Sequence, residues 1–281
     1  MVLVPTFART MLRWQIVLVG ACCLAIAAIV VGNVAIVAKL RESALDQVRQ
    51  ALERRSFAVA AQANLSLQSV SLVLNAVTER LAPNQIEDAD GFRRRGTASN
   101  IQQILVQQIV GLPQIEALGL VDLDGNVINS SRPMRGQFTV ADRDYFIAFR
   151  DNPALERYVS VPIRSRNSGV QGIVVIQRVL GADGTTVGFV GSFIKLEFFE
   201  SYWRSVMDHS ENESSISLNR FDGTVLARFP RTDVIGTKFA DGMQSRLRDA
   251  NALVVRKRGS IDGRLSMVAP IPPSIIARDS L

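Results

Sequence analysis

The sequence predicts an α+β protein in which one membrane-spanning helix and a long stalk helix carry two small antiparallel-sheet units in tandem. Three observations lead there. Trp14 to Ala38 holds no charged residue, a helix-period stripe then continues to Leu81 without Gly or Pro, and strand-like alternation sets in from Ile115 onward.

The uncharged run is 25 residues long, enough to cross a hydrocarbon layer with some tilt. A cleaved signal peptide would carry an apolar stretch about half that length. Val19-Gly20-Ala21-Cys22 departs from a lipoprotein cleavage pattern, because Val19 stands where Leu is preferred. Cys22 and Cys23 are the only cysteines, so the exported part is expected to hold no disulfide, as a bacterial periplasm tolerates. Arg9 and Arg13 precede the span and Lys39 and Arg41 follow it, a nearly balanced pattern under the positive-inside rule. Long domains translocate largely regardless of such charge, so residues 1–13 are placed in the cytoplasm and the bulk of the chain in the periplasm. The net charge of +6 falls to +4 without Arg9 and Arg13, and no dense Lys/Arg block follows. Nucleic acid is not an expected partner.

Within the span (14–38), Ala21, Ala25, Ala28, Gly32 and Ala35 recur at steps of four and three. They form a small-residue face where a second copy could approach and make a homodimer, although Ala and Gly are abundant in membrane helices anyway. The stalk (39–82) carries Leu45, Val48, Leu52 and Val59, then Leu67, Val70, Leu74, Val77 and Leu81, with Arg55 and Gln62 interrupting the seam. Pro83 ends it. So long a helix needs a partner for its apolar face, either a second chain or the domain that follows.

A short helix is predicted around Ile101, Ile104, Leu105 and Ile109, closed by Gly111 and Pro113. Strands at 115–121 and 126–129 meet at the turn Asp124-Gly125. Residues 141–150 predict a helix, and strands follow at 157–163, 170–179 and 186–194, five in all for the first unit (83–195). The pattern restarts in the second unit (196–281): a helix at 196–207, strands at 215–220 and 224–228 around Asp222-Gly223, a helix at 244–249, and strands at 252–257 and 264–268. Leu123-Asp124-Gly125-Asn126-Val127-Ile128 and Phe221-Asp222-Gly223-Thr224-Val225-Leu226 form a short internal repeat.

Asp142-Arg143-Asp144-Tyr145-Phe146, the paired segments 172–179 and 183–192, and Asp222 through Pro230 stand in an order that resembles the double Cache (PDC-type) sensor domain. That module is the extracytoplasmic part of bacterial histidine kinases, diguanylate cyclases and chemoreceptors, and the resemblance covers 39–268. It implies two PAS-like units, a ligand held by the membrane-distal one, and a role in signal-transduction input. In the amino-acid-binding branch an Arg and aromatics hold the ligand carboxylate and a later Asp holds its ammonium. Arg143, Tyr145 and Phe146 match the first half. The segment for the Asp reads Pro162-Ile163-Arg164-Ser165-Arg166-Asn167, so the resemblance implies a small organic anion, a carboxylate, in place of an ordinary amino acid. Tyr158 and Arg178, on strands of the same sheet, complete the candidate set. Each has a plainer alternative as a surface or packing residue, and Tyr202 and Trp203 are expected to pack between the units.

No enzymatic activity is expected. His209 is the only histidine, set in a polar stretch, and no Cys lies outside the span, so no Cys/His metal site can be assembled there. The Gly184, Gly188, Gly191 series falls along a strand and not at a phosphate-binding turn, and no cofactor is implied. Relatives return through the membrane to an output module. Here no second apolar run precedes Leu281, so the expectation is a second unit that is incomplete and a chain with no output domain. Two alternatives remain: a stand-alone tethered binding protein acting through a partner receptor, and a periplasmic enzyme.

Overall fold

The computed structural model describes residues 6–81, 86–207, 215–220, 222–239, 255–258 and 265–268. The chain divides into two units, Met1–Arg54 and Arg55–Leu281. Helix α1 (Thr6–Leu81) supplies the described part of the first and the opening element of the second. The helix is described as far as Leu81. In the first unit the large side chains of Ile29, Val30, Val31, Val34, Ile36 and Val37 are all exposed. In the second, Phe57–Leu81 is also long and apolar enough to cross a membrane. Its stripe Ala63, Leu67, Val70, Leu74, Val77 and Leu81 is buried in a protein core instead.

That core lies on one face of a six-stranded antiparallel sheet of β1 (Ile115–Val121), β2 (Val127–Ser130), β3 (Arg157–Val159), β4 (Ile163–Arg164), β5 (Gln171–Leu180) and β6 (Thr186–Lys195), in the order β2-β1-β6-β5-β3 with β4 also on β5. Strand alternation assigns the faces. Leu118, Leu120, Ile173, Val175, Val190 and Ile194 join the core with α1. Val121, Val174, Ile176 and Phe189 face the other way, toward helix α4 (Asp144–Asp151) with its buried Tyr145, Phe146 and Phe149. Polar ties fix α1 on the sheet: Arg157 donates to Ser71 Oγ (3.0 Å), Asn75 Oδ1 (3.1 Å) and Gln177 Oε1 (2.6 Å), and Gln177 Nε2 donates to Thr78 Oγ1 (2.8 Å). Burial lowers the pKa of Arg157, against the opposing charge of Glu156.

The sequence's single strand at 157–163 is two strands here. Ser160 Oγ accepts the Val174 N–H (2.8 Å) in place of a ladder carbonyl, and Pro162 has no N–H to give. Two helices, α2 (Ala89–Gly96) and α3 (Ser99–Gln108), stand where one was expected. Asp88 caps α2 by accepting the Gly91 N–H (2.6 Å), and the helix's one large apolar residue, Phe92, packs against Gly188, where a Cβ would overlap the ring.

Helix α5 (Leu196–Val206) leads into the hairpin of β7 (Ile216–Asn219) and β8 (Val225–Phe229). Leu218, Leu226 and Ala227 share a core with Phe199 and Trp203, and with α1 and the large sheet. Strands β9 (Val255–Arg258) and β10 (Leu265–Val268) pair with each other. Among the described residues, 196–281 thus shows two separate two-stranded sheets, and a second sheet like that of 83–195 is not seen. His209 and the helix expected at 244–249 lie outside the described residues. The short repeat is visible at atomic detail. Gly125 and Gly223 both turn with positive φ (+83° and +90°). Each turn is crossed by a returning segment, with Val127 and Val225 donating to Phe138 and Thr237 (3.1 and 3.0 Å) and Val140 and Phe239 donating back to Gly125 and Gly223 (2.7 and 3.2 Å).

Candidate ligand-binding cavity

The face of the sheet turned away from α1 is only partly covered by α4. Beside α4 a cavity of about 300 Å³ opens, at the lower end of the size of small-molecule sites. Its floor is Ala117, Gly119 and Val121 of β1, Val174 and Ile176 of β5, and Gly191 and Phe193 of β6. Its walls are the segment from Ser130 to Val140, the start of α4, and β4 with the loop after it as far as Ser168.

Five arginines line it, Arg132, Arg135, Arg143, Arg164 and Arg166, against one carboxylate, Glu116. Glu116 is already engaged: Arg132 Nη2 lies 3.5 Å from its carboxylate and Arg132 Nε donates to its main-chain oxygen (3.0 Å). Arg166 grips Asp142 with two hydrogen bonds (2.9 and 2.5 Å) and also donates to the Thr139 carbonyl. The Arg166 guanidinium holds Asp142 below the usual carboxylate range against the opposing effect of desolvation. Arg143 donates to the Arg164 carbonyl (3.2 Å) and Arg164 to the Gly169 carbonyl (3.1 Å). Among the described residues neither Arg143, Arg164 nor Arg135 forms an ion pair with a carboxylate. Asn167 laces the loop shut from its side, donating to the Pro133 carbonyl (3.0 Å) and accepting from the Arg135 N–H (3.1 Å). Tyr145 is buried, which pushes its phenol pKa up and keeps it neutral.

Of the six residues singled out in the sequence, Arg143, Tyr145 and Arg164 come together here. Phe146 does not. Successive helix residues point about 100° apart, and its ring packs edge-on against Phe189 at 5.6 Å in the core beneath α4. Tyr158 lies outside the cavity, its hydroxyl accepting from Arg220 Nη1 (2.9 Å). Arg178 fastens the C-terminal end of α4, donating to the Phe149, Asn152 and Leu155 carbonyls (2.9, 2.9 and 2.5 Å). That satisfies orphan carbonyls and complements the helix dipole. Arg132, Arg135 and Gly119 were not marked by the sequence, while Arg166 and Gly191 were noted there, in a basic segment and a strand, without a place in the site. A glycine inside a strand was the available signal, since it marks close approach or open space.

No protein-family model and no curated protein matches the sequence. Solved structures do. The extracellular domain assigned to the histidine kinase rpHK1S-Z16 is 24% identical with a TM-score of 0.63, over 80% of this chain and 89% of that one. The ligand-binding domain of the Pseudomonas aeruginosa amino-acid chemoreceptor PctB, solved with L-Gln, is 14% identical with a TM-score of 0.52, over 80% and 85%. The periplasmic sensory domain of the Campylobacter jejuni chemoreceptor Tlp1 is 12% identical with a TM-score of 0.53, over 78% and 87%. The chain has the fold of the extracellular sensory domains of histidine kinases and chemoreceptors, in keeping with the double Cache resemblance of its sequence.

Proposed function

We propose that this chain is the ligand-binding input domain of a membrane-anchored bacterial sensor, and that its ligand is a small organic anion carrying a carboxylate. The observation that carries the reading is the charge around the cavity: five arginines, with the one lining carboxylate already held by Arg132. A guanidinium without a carboxylate partner offers a planar fork to a ligand's carboxylate. L-Gln, the ligand of the PctB domain, also carries a carboxylate. What the cavity here lacks is a free acid for an ammonium group.

Residues 14–38 are the membrane anchor in this reading, supported by an uncharged run whose described apolar side chains are all exposed. The cytoplasmic N-terminus is 1–13, the stalk 39–82, the membrane-distal unit 83–195 and the membrane-proximal unit 196–281. The bulk of the chain lies in the periplasm on the inner membrane, as a homodimer, and its role is binding and not catalysis.

A thermal-shift screen of the detergent-solubilised chain tests the ligand class. Carboxylates should raise the melting temperature by linkage, dicarboxylates more than neutral amino acids. Arg143→Ala should abolish the shift, since a hydrogen bond to a charged group is worth about 1.5–3 kcal/mol. Arg164→Ala should weaken it less. Neutral amino acids binding best, or unchanged binding by Arg143→Ala, would overturn the assignment.

A further inference from the structure

Asp144 stands between two cavity residues, Arg143 and Tyr145, yet its carboxylate is not among the cavity's lining groups. Oδ2 accepts the Val161 N–H at 2.8 Å. Oδ1 is buried with no hydrogen-bond partner. Burial raises the Asp144 pKa, outweighing the hydrogen bond from Val161 and the charge of Arg220, which lower it. The nearest cation is Arg220, whose Nη1 lies 3.9 Å from Oδ2, just beyond hydrogen-bond range.

Arg220 follows β7 and belongs to the hairpin. Its side chain is only 16% exposed. It is held to Asp222 by two bonds (3.0 and 2.9 Å), and it donates to Tyr158 Oη (2.9 Å) and the Val159 carbonyl (2.8 Å) on β3. Its guanidinium also lies over the Tyr158 ring, 5.3 Å from the centroid. Asp222 in turn accepts the Thr224 N–H (3.1 Å) and so shapes the β7–β8 turn. One guanidinium therefore faces two carboxylates: Asp222, which Nε and Nη2 grip, and Asp144, which Nη1 narrowly misses while it donates to Tyr158 and Val159.

We propose that Arg220 is a positioning residue that couples the cavity to the β7–β8 hairpin, by moving Nη1 from Tyr158 or Val159 onto Asp144 when the cavity fills. This rests on the cavity being the ligand site. An anion drawn onto Arg143 pulls the first turn of α4, and Asp144 is the next residue. A displacement of roughly 1 Å converts the 3.9 Å approach into a charge-assisted hydrogen bond. It gives Oδ2 a second donor, a charged one, and shifts the guanidinium whose Nε and Nη2 hold Asp222 in the turn. Coupling is reciprocal, so the state of the hairpin also sets how readily the cavity accepts its anion.

The test fills the cavity without needing the natural ligand. In the full chain with Cys22 and Cys23 replaced by Ser, Ser168→Cys on the cavity wall is labelled with a methanethiosulfonate bearing a carboxylate, or with its neutral methyl ester. Amide hydrogen exchange is then read at Val225–Phe229 by mass spectrometry. The carboxylate label should change exchange in β8 by at least about fivefold relative to the ester, the low end of coupling between sites. Arg220→Gln should abolish that difference while the label's effect on α4 persists. Should Arg220→Gln fail to fold, Asp144→Asn, which keeps the acceptor for Val161, is expected to do the same. No response of β8 in the parent chain, or an equal response in either variant, overturns the proposal. A failed screen with free carboxylates alongside a responding label would sink the ligand class and leave the coupling standing.

Discussion

Gly119 of β1 and Gly191 of β6 are cross-strand partners, and both lie on the floor of the cavity. Two missing side chains on neighbouring strands leave the sheet bare where Arg143 and Arg164 approach from above. The Cβ that an alanine would add at Gly191 meets nothing nearer than Val174 Cγ1 at 3.5 Å, an ordinary contact. Gly191→Ala should therefore fold at least as well as the parent, since Gly inside a strand costs roughly 0.5–1 kcal/mol relative to Ala. It should still weaken carboxylate binding, and Gly191→Leu should abolish it. Calorimetric titration beside urea denaturation checks both halves. Undiminished affinity in Gly191→Leu would mean that the ligand sits elsewhere.

The two acids facing Arg220 should respond to pH in opposite senses. Burial raises the pKa of Asp144, so its contribution to stability is present below the unfolded value of about 3.9 and is lost as pH rises through the folded one. For Asp222 burial also disfavours the charge, but hydrogen bonds from Arg220 and Thr224 outweigh it and hold the pKa far below the usual range. Its contribution is full above about 3.9 and is lost as pH falls. Relative to the parent, Asp144→Asn should gain stability between about pH 3 and pH 7. The deficit of Asp222→Asn should be largest at pH 7 and shrink below about pH 4. Urea melts across that range decide it, and two variants drifting in the same direction would contradict the assignment.

The topology expected from the uncharged run has a direct readout. Alkaline phosphatase fused after Leu281 should be active in a bacterial host, and a fluorescent protein fused there should stay dark. The reverse would place the sensor fold in the cytoplasm.

Leu65 and Leu72 lie a heptad apart on α1 and are 65% and 69% exposed, on a helix whose other side fills the core. If this line is the stalk's homodimer seam, Leu65→Glu with Leu72→Glu should turn a dimer into a monomer by light scattering in detergent. The fold should be spared, because exposed substitutions usually change stability by less than about 0.5 kcal/mol. A monomeric parent, or a variant that stays dimeric, removes the stalk from the interface.

Periodicity carried much of this fold. Strand β1 has the bounds that its alternation predicts, and α1 buries the stripe from Leu67 to Leu81 that the sequence marks. It failed where the local pattern is silent. Helix α2 has a single large apolar residue to show, so only the Asp88 cap announced it. The break between β3 and β4 depends on a serine side chain reaching another strand, which no window of neighbours contains. The cavity was half legible for a related reason. Arg143 and Tyr145 were found through a motif, and Arg164 through its place in a segment. Arg166 stands in that same segment, and Arg132 and Arg135 belong to a loop brought to it only by the fold. Arg178 has the strand parity of Val174 and Ile176, but two residues further along the strand that face runs under the end of α4.

The two-faced sheet has a consequence for how such a receptor can diversify. Along β5 every second side chain belongs to the core with α1, and Val174 and Ile176 between them belong to the cavity. Selection, or a designer of biosensors, can vary Val174 and Ile176 to change what is recognised. The odd-numbered positions, which seat the helix, need not change. Specificity and foldability are then inherited on separate residues of the same strand, and one scaffold can be retuned to new chemical signals without being rebuilt.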